Sequence, residues 1–311
     1  MVTLLLRVLS HSAAIQPLLD IPTTRGSIQS VFPRAANLLF GGRLLTLLAC
    51  ETPCTPNGLV LPLRARQGPL ADLQTGMAVI IERGIIYIPT PSLRLSTQNS
   101  RPWNPHPHLP PASCPPERLE RNVDRLASLV AAKAPDGGLT ALAHQPGGTA
   151  SAHTQGHPSS PDTLAPAEAS FLLHTARPAT ERLLEGIIQQ HMQPVRQGAS
   201  ALIGLGPGLT PSGDDVIIGL MAATILLSEA LGIPGEFYQR LNTELLAIAR
   251  NRTNKLSITW MEYARQGEVA EHLGRLFQTL ISDDSQRLEG AAMEVLDSGA
   301  TSGGDLLAGI I

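Results

Sequence analysis

The chain has 311 residues, of which 43% are hydrophobic and 16% charged, a balance that belongs to a folded globular protein and excludes a disordered one. A net charge of −3, no run of Lys or Arg, and 3% aromatic residues exclude the basic footprint and stacking platforms that nucleic acid requires. The three cysteines, Cys50, Cys54 and Cys114, are too few and too odd in number for a disulfide framework, so a reducing cytoplasm is expected. Cys50 and Cys54 could contribute to a metal site, but no second pair completes one.

Residues 1–9 (MVTLLLRVL) are apolar but lack a basic leading region, so no targeting segment is expected. From about 27 to 95 the pattern is one of short strands. Residues 43–49 (RLLTLLA) and 77–82 (MAVIIE) are apolar runs bounded by turn formers. Residues 77–89 (MAVIIERGIIYIP) read as a hairpin turning at Arg83-Gly84, since glycine accepts the positive φ of a tight turn. A small sheet or barrel follows from this succession. Residues 101–116 carry seven prolines in sixteen residues and are expected to form an extended connector.

A helix is predicted over 117–134, where Leu119, Val123, Leu126, Leu129 and Val130 recur at helical spacing. Residues 135–166 are rich in Gly, Pro, Ser and Ala and read as a loose insertion. Five of the nine histidines (His106, His108, His144, His153 and His157) fall in these two proline-rich stretches, with no rigid element to gather them on a metal.

Beyond 167 the chain reads as helical. Pro178 suits the first turn of one helix, and amphipathic segments are predicted near 236–250, 255–265, 269–281 and 285–296. The apolar uncharged stretch 216–228 of this half has 13 residues, short of the roughly 20 that a membrane span needs. The expected organisation is α+β: a β-rich domain over 1–100, a connector and insertion with one helix over 101–166, and an α-helical domain over 167–311.

Residues 204–215 (GLGPGLTPSGDD) are the least random run in the chain. Ser212 reads as the N-cap of an apolar helix, with Asp214 and Asp215 in its first turn. Capping alone does not call for four glycines and two prolines. A loop in which Gly206, Gly208 and Gly213 expose backbone N–H groups would bind a phosphate or carboxylate, with Thr210 and Ser212 as further donors. Asp214 and Asp215 would repel a bare phosphate. That conflict is removed if one of them holds a Mg²⁺ shared with the ligand, or orients a substrate amide. No lysine follows the glycines as in a Walker A loop, and no G-x-G-x-x-G spacing is present.

The run is echoed at 302–310 (SGGDLLAGI), where Ser302, Gly303, Asp305 and Gly309 repeat Ser212, Gly213, Asp215 and Gly219 at a constant offset, 302 − 212 = 90. Two such helix mouths facing one site would make Asp215 and Asp305 an acidic pair and candidate Mg²⁺ ligands, with Ser302 and Gly303 beside the substrate. Between the copies, Arg252, Thr253 and Lys255 offer two cations and a hydroxyl for an anionic substrate. Neither G-x-S-x-G nor H-E-x-x-H occurs, so chemistry by positioning and electrostatics is expected, with Asp214, Asp215 and Asp305 as its candidate catalytic groups.

Taken together, residues 202–215 (LIGLGPGLTPSGDD) with Gly219, the spaced Thr253, Ser257, Ala264 and Gly267, and residues 299–309 (GATSGGDLLAG) resemble the AllH-like family. That family is a subunit of oxamate carbamoyltransferase in anaerobic allantoin breakdown. The strands up to Trp103-Asn104-Pro105 are similar in layout, while 101–166 is longer and richer in proline than the family pattern. The resemblance implies reversible carbamoyl transfer between oxalurate and phosphate, giving oxamate and carbamoyl phosphate. It also implies partner subunits, one of them similar to acyl-CoA synthetases. Two alternatives stay open: a non-catalytic assembly subunit, and a nucleotide-dependent phosphotransferase.

Overall fold

The computed structural model describes residues 4–65, 70–112, 114–135, 137–143 and 166–311. Most of the expected insertion, with His144, His153 and His157, lies outside the described residues. The chain divides into two units, one made of residues 1–106 with 269–274 and the other of 107–268 with 275–311.

The first unit is a ten-stranded sheet built from β1 (Leu4–Arg7), β2 (Ser10–Ser12), β3 (Thr23–Val31), β4 (Ala35–Phe40), β5 (Arg43–Leu48), β6 (Gly58–Val60), β7 (Ala78–Glu82), β8 (Ile85–Ile88), β9 (Leu93–Ser96) and β10 (Arg101–Trp103). A short helix, α1 (Gln16–Leu19), follows β2. The strand order is β1-β9-β8-β7-β3-β4-β5-β6-β2-β10. Strands β1 and β2 are neighbours in the chain yet stand near opposite ends of that order. The sheet therefore curls until Val8 N–H reaches the Ser96 carbonyl (2.9 Å) while Leu9 N–H reaches that of Val60 (2.9 Å).

Inward side chains such as Leu38, Leu45, Leu47, Ile81, Ile86 and Leu95 form its core. The predicted hairpin is present: Ile80 pairs with Tyr87 and Glu82 with Ile85. Its turn places Arg83 at φ 48° and Gly84 at φ 77°, the left-handed pair that matches strand twist. Residues 101–103, expected to belong to a connector, instead form β10. They remain extended, and Pro102 sits on an edge strand, where its missing N–H costs no ladder bond.

Residues 269–274 group with this unit. The Glu271 carboxylate accepts from Cys54 N–H (3.2 Å), and Glu271 N–H donates to the Cys54 carbonyl (2.9 Å). Burial, reinforced by Glu271, pushes the Cys54 thiol up to about 12, which keeps it from the thiolate form that metals take. Among the described residues no three His, Cys, Asp or Glu side chains are grouped to hold a metal ion.

The second unit contains α2 (Pro116–Lys133), α3 (Pro166–Ile188), α4 (Met192–Leu202), α5 (Ser212–Leu231), α6 (Glu236–Ala249), α7 (Lys255–Ala264), the later part of α8 (Glu271–Leu280), α9 (Ser285–Leu296) and α10 (Ser302–Ile310). The helices expected at 117–134 and in the C-terminal half are present within a few residues. One expectation changes: Pro178 lies inside α3, not in its first turn. Proline removes one helical hydrogen bond there, and Ala176, Ala179 and Leu183 around it are buried. Gly198 of α4 sits so close to the Ala179 carbonyl and the Leu183 backbone that a Cβ would overlap both. Helix α5 is the buried centre of the unit and stops at Gly232, whose φ of 69° suits the residue after a helix end. No helix among the described residues is long and apolar enough to cross a membrane.

Candidate functional site

The sequence echo is a structural repeat. Helix α4, the 203–211 loop and α5 form one helix–loop–helix, and α9, the 297–301 loop and α10 form the other. In each, the glycine of the S-G start lies against a carbonyl of the preceding helix. A Cβ on Gly213 would overlap the Leu202 carbonyl, and one on Gly303 that of Val295.

The two second helices then cross at their other shared glycine. Gly219 packs on the Leu306 carbonyl and Gly309 on that of Val216. The same offset links both contacts, 219 + 90 = 309 and 216 + 90 = 306, so the crossing is a local two-fold. Glycine is required at both places because backbone meets backbone.

This crossing brings the two helix starts together. Thr210 Oγ1 donates to Asp215 Oδ2 (3.0 Å) and lies 3.2 Å from Ser302 Oγ, which also hydrogen-bonds Asp215. In the reciprocal direction, the Ser212 and Thr301 hydroxyls act on Asp305. Each carboxylate is thus served by a hydroxyl of the other copy. Ser212 was expected to be the N-cap of α5, but Pro211 holds that position and its carbonyl takes Asp214 N–H (2.8 Å) and Asp215 N–H (3.2 Å). The serine hydroxyl is left to face Asp305.

Asp215 is 4% exposed, and Asp214 and Asp305 are fully buried. Among the described residues no lysine or arginine pairs with any of the three. Burial pushes the Asp215 carboxyl well above its ordinary range; Asp305 and Asp214 add to the rise, and the Ser302 and Thr210 hydroxyls oppose it. Burial likewise pushes Asp305 up to about 6, opposed by Leu139 N–H and the Ser212 and Thr301 hydroxyls. Asp305 Oδ1 accepts from Leu139 N–H, whereas Oδ2 has no partner at hydrogen-bond distance and angle among the described residues.

Asp214 does different work from its neighbour. Its Oδ1 accepts from Gly204 N–H (2.7 Å) and its Oδ2 from Thr253 Oγ1, so both oxygens are committed to fastening the loop and the start of α7. Of the three aspartates expected from sequence as catalytic groups, Asp214 is the one with both oxygens hydrogen-bonded within the chain. The N–H groups of Gly213 and Gly303, expected from sequence to face a ligand, donate to the carbonyls of Leu205 (2.9 Å) and Ser298 (2.9 Å).

The loop itself keeps its donors open. Gly204, Gly206 and Gly208 have φ of 84°, 107° and 104°, a path that side-chain-bearing residues resist. Among the described residues, the N–H groups of Gly206, Gly208, Leu209 and Thr210 donate to no backbone or side-chain acceptor. Asn254 pins the loop by donating to the Leu209 carbonyl (2.8 Å), while its Oδ1 caps α7 through Leu256 N–H (2.9 Å) and Ser257 N–H (3.1 Å). Arg252 and Lys255 flank this anchor, both exposed and without an ion pair among the described residues. Asn before the apolar start of α7 is a capping signal that sequence alone could have supplied. Nothing in the sequence marks Gly138 and Leu139, which reach Asp305 from the segment read as a loose insertion.

Fold and site together define an α+β protein whose helical unit joins two carboxylates, one from each copy of an internal repeat, beside a glycine loop of open backbone donors. Residues 7–102 match the AllH family N-terminal domain, and residues 202–311 match the family of oxamate carbamoyltransferase subunit AllH. The chain belongs to the AllH family. No solved structure matches it.

Proposed function

We propose that this chain is the subunit of an oxamate carbamoyltransferase that binds the reactants of carbamoyl transfer between oxalurate and phosphate. The observation that carries the reading is a loop with open N–H groups at Gly206, Gly208, Leu209 and Thr210 whose Thr210 hydroxyl reaches Asp215 and Ser302, at the start of both repeat copies. In the forward direction a phosphate oxygen attacks the carbamoyl carbon of oxalurate. The bond from that carbon to the oxamate nitrogen breaks, and the proton from phosphate ends on that nitrogen. Carbamoyl phosphate and oxamate leave.

Loop N–H groups and the Thr210 hydroxyl suit the phosphate oxygens, and Arg252 and Lys255 are placed to offset its charge. Burial raises both carboxyls above their ordinary range, so beside an anion this pair takes up a proton more readily than two exposed aspartates would, which eases the expected repulsion. A protonated Asp215 would also relay a proton to the departing nitrogen. A Mg²⁺ at this place would rest on Asp215 and Asp305, with ligand oxygens and water completing its shell, and would supply charge neutralisation.

The near-complete burial of both carboxylates favours a second reading, in which the chain completes a site on another subunit. The deciding experiment is phosphate-dependent release of oxamate from oxalurate by the chain alone, by the complex with its co-expressed partners, and by the complex carrying Asp215→Asn. Activity of the complex that disappears in an assembled variant supports the first reading. Near-normal activity of that variant, or activity of the partners without this chain, rejects it.

A further inference from the structure

Residues 137–143 lie between the two stretches that match the family and outside both copies of the repeat, yet they make the closest backbone contact with Asp305. Gly138 has a φ of 64°, and a Cβ there would overlap the Asp305 carboxylate, falling 2.7 Å from Oδ2 and nearer still to Oδ1. Its neighbour Leu139, itself fully buried, donates its N–H to Oδ1. The approach depends on Gly304, because a Cβ there would overlap the Thr140 side chain. Gly304 occupies the place that Asp214 holds in the first copy, 214 + 90 = 304. One copy is therefore closed by its own aspartate. The other is left open at the same position and closed by this separate segment.

We propose that Gly138 and Leu139 are positioning residues of the site, fixing Asp305 through Oδ1 so that Oδ2, which no described residue meets at full hydrogen-bond geometry, takes a donor on the carbamoyl substrate. A purely structural contact would need only an acceptor at 305, which asparagine provides as well as aspartate. A positioning role needs the carboxylate and its orientation. The proposal rests on the reading of Asp305 as a substrate-facing residue.

Two readouts separate the proposal from that reading. The first uses the full-length, ¹⁵N-labelled chain without any reaction: the Leu139 amide proton should lie far downfield, as a charge-assisted bond requires, and should move upfield in Asp305→Asn. An unmoved Leu139 resonance overturns the proposal whatever the reaction is. The second uses the assembled complex: Gly138→Ala should lower kcat tenfold or more while KM for phosphate stays within about twofold. Gly304→Ala, which acts through Thr140, should do the same more weakly and stands in if Gly138→Ala does not fold. Wild-type kcat in a folded variant whose Leu139 amide has moved overturns the positioning role. Should the wild-type complex not act on oxalurate, the carbamoyl-transfer reading fails by itself. Oxamate binding by calorimetry then decides the positioning role: tenfold weaker binding by Gly138→Ala supports it, and equal or absent binding in both chains overturns it.

Discussion

The two helix–loop–helix copies share one crossing and one carboxylate each, and they differ in what encloses that carboxylate. The first copy has a long loop over 203–211, with three glycines at positive φ, and fastens it internally through Asp214, Thr253 and Asn254. The second has a short loop over 297–301, with Gly299 at φ 70°, and a glycine where Asp214 would stand. The shared part is dictated by backbone contact and tolerates no side chain. The divergent part decides which copy presents open donors and which one presents a carboxylate held by an outside segment. A repeat conserved in packing and split in chemistry is a direct way to build one asymmetric site from two similar halves.

The largest effects are expected where the copies agree. Gly219→Ala and Gly309→Ala each force a Cβ onto a carbonyl of the partner helix, and each should cost about 3 kcal/mol or prevent folding. Urea unfolding checks this, and unequal costs would break the local two-fold.

Next comes the charge. Because burial raises Asp305 to about 6 in the folded chain, the native state holds more protons than the unfolded one between roughly pH 4 and 6. The corresponding stability is complete below about pH 4 and is lost as pH rises through about 6. Asp305→Asn should therefore stabilise the chain by up to about 3 kcal/mol at pH 8 and change little at pH 4, read from unfolding midpoints across that range.

Where the copies differ, Asp214→Ala should cost about 2 kcal/mol by stranding Gly204 N–H and Thr253, and should raise hydrogen exchange in the first loop only. Smallest is Thr210→Val, expected to cost about 1 kcal/mol while raising the Asp215 carboxyl further, since one of the hydroxyls that lower it is gone.

Much of this architecture is legible in the chain itself. Strand patterning gave the sheet, and the Arg83-Gly84 turn follows from glycine's freedom at positive φ. The echo of S-G-x-D at a fixed offset suggests Asp215 and Asp305 as a pair, and in the structure α5 and α10 cross with Asp305 near enough to raise Asp215.

What stayed hidden has a common physical cause. The roles of Asp214 and Asp215 are indistinguishable in sequence, because adjacent residues in a first helical turn point in directions about 100° apart and only the surroundings decide what each meets. Ser212 satisfied every local rule for an N-cap, yet Pro211 took the cap and freed the hydroxyl for a carboxylate ninety-three residues away, 305 − 212 = 93. Gly138 looks like loop glycine because its reason, the Asp305 carboxylate, comes from a distant helix.

The central claim is that Asp215 and Asp305, one from each copy, form a single site. A double-mutant cycle on unfolding free energy at pH 8, with Asp215→Asn, Asp305→Asn and both together in the full chain, tests it without reference to any substrate. Both single variants relieve the same repulsion, so the double variant should gain less than the sum of the two by about 0.5 kcal/mol or more. Gains that add within about 0.3 kcal/mol would mean two independent carboxylates and would contradict the account.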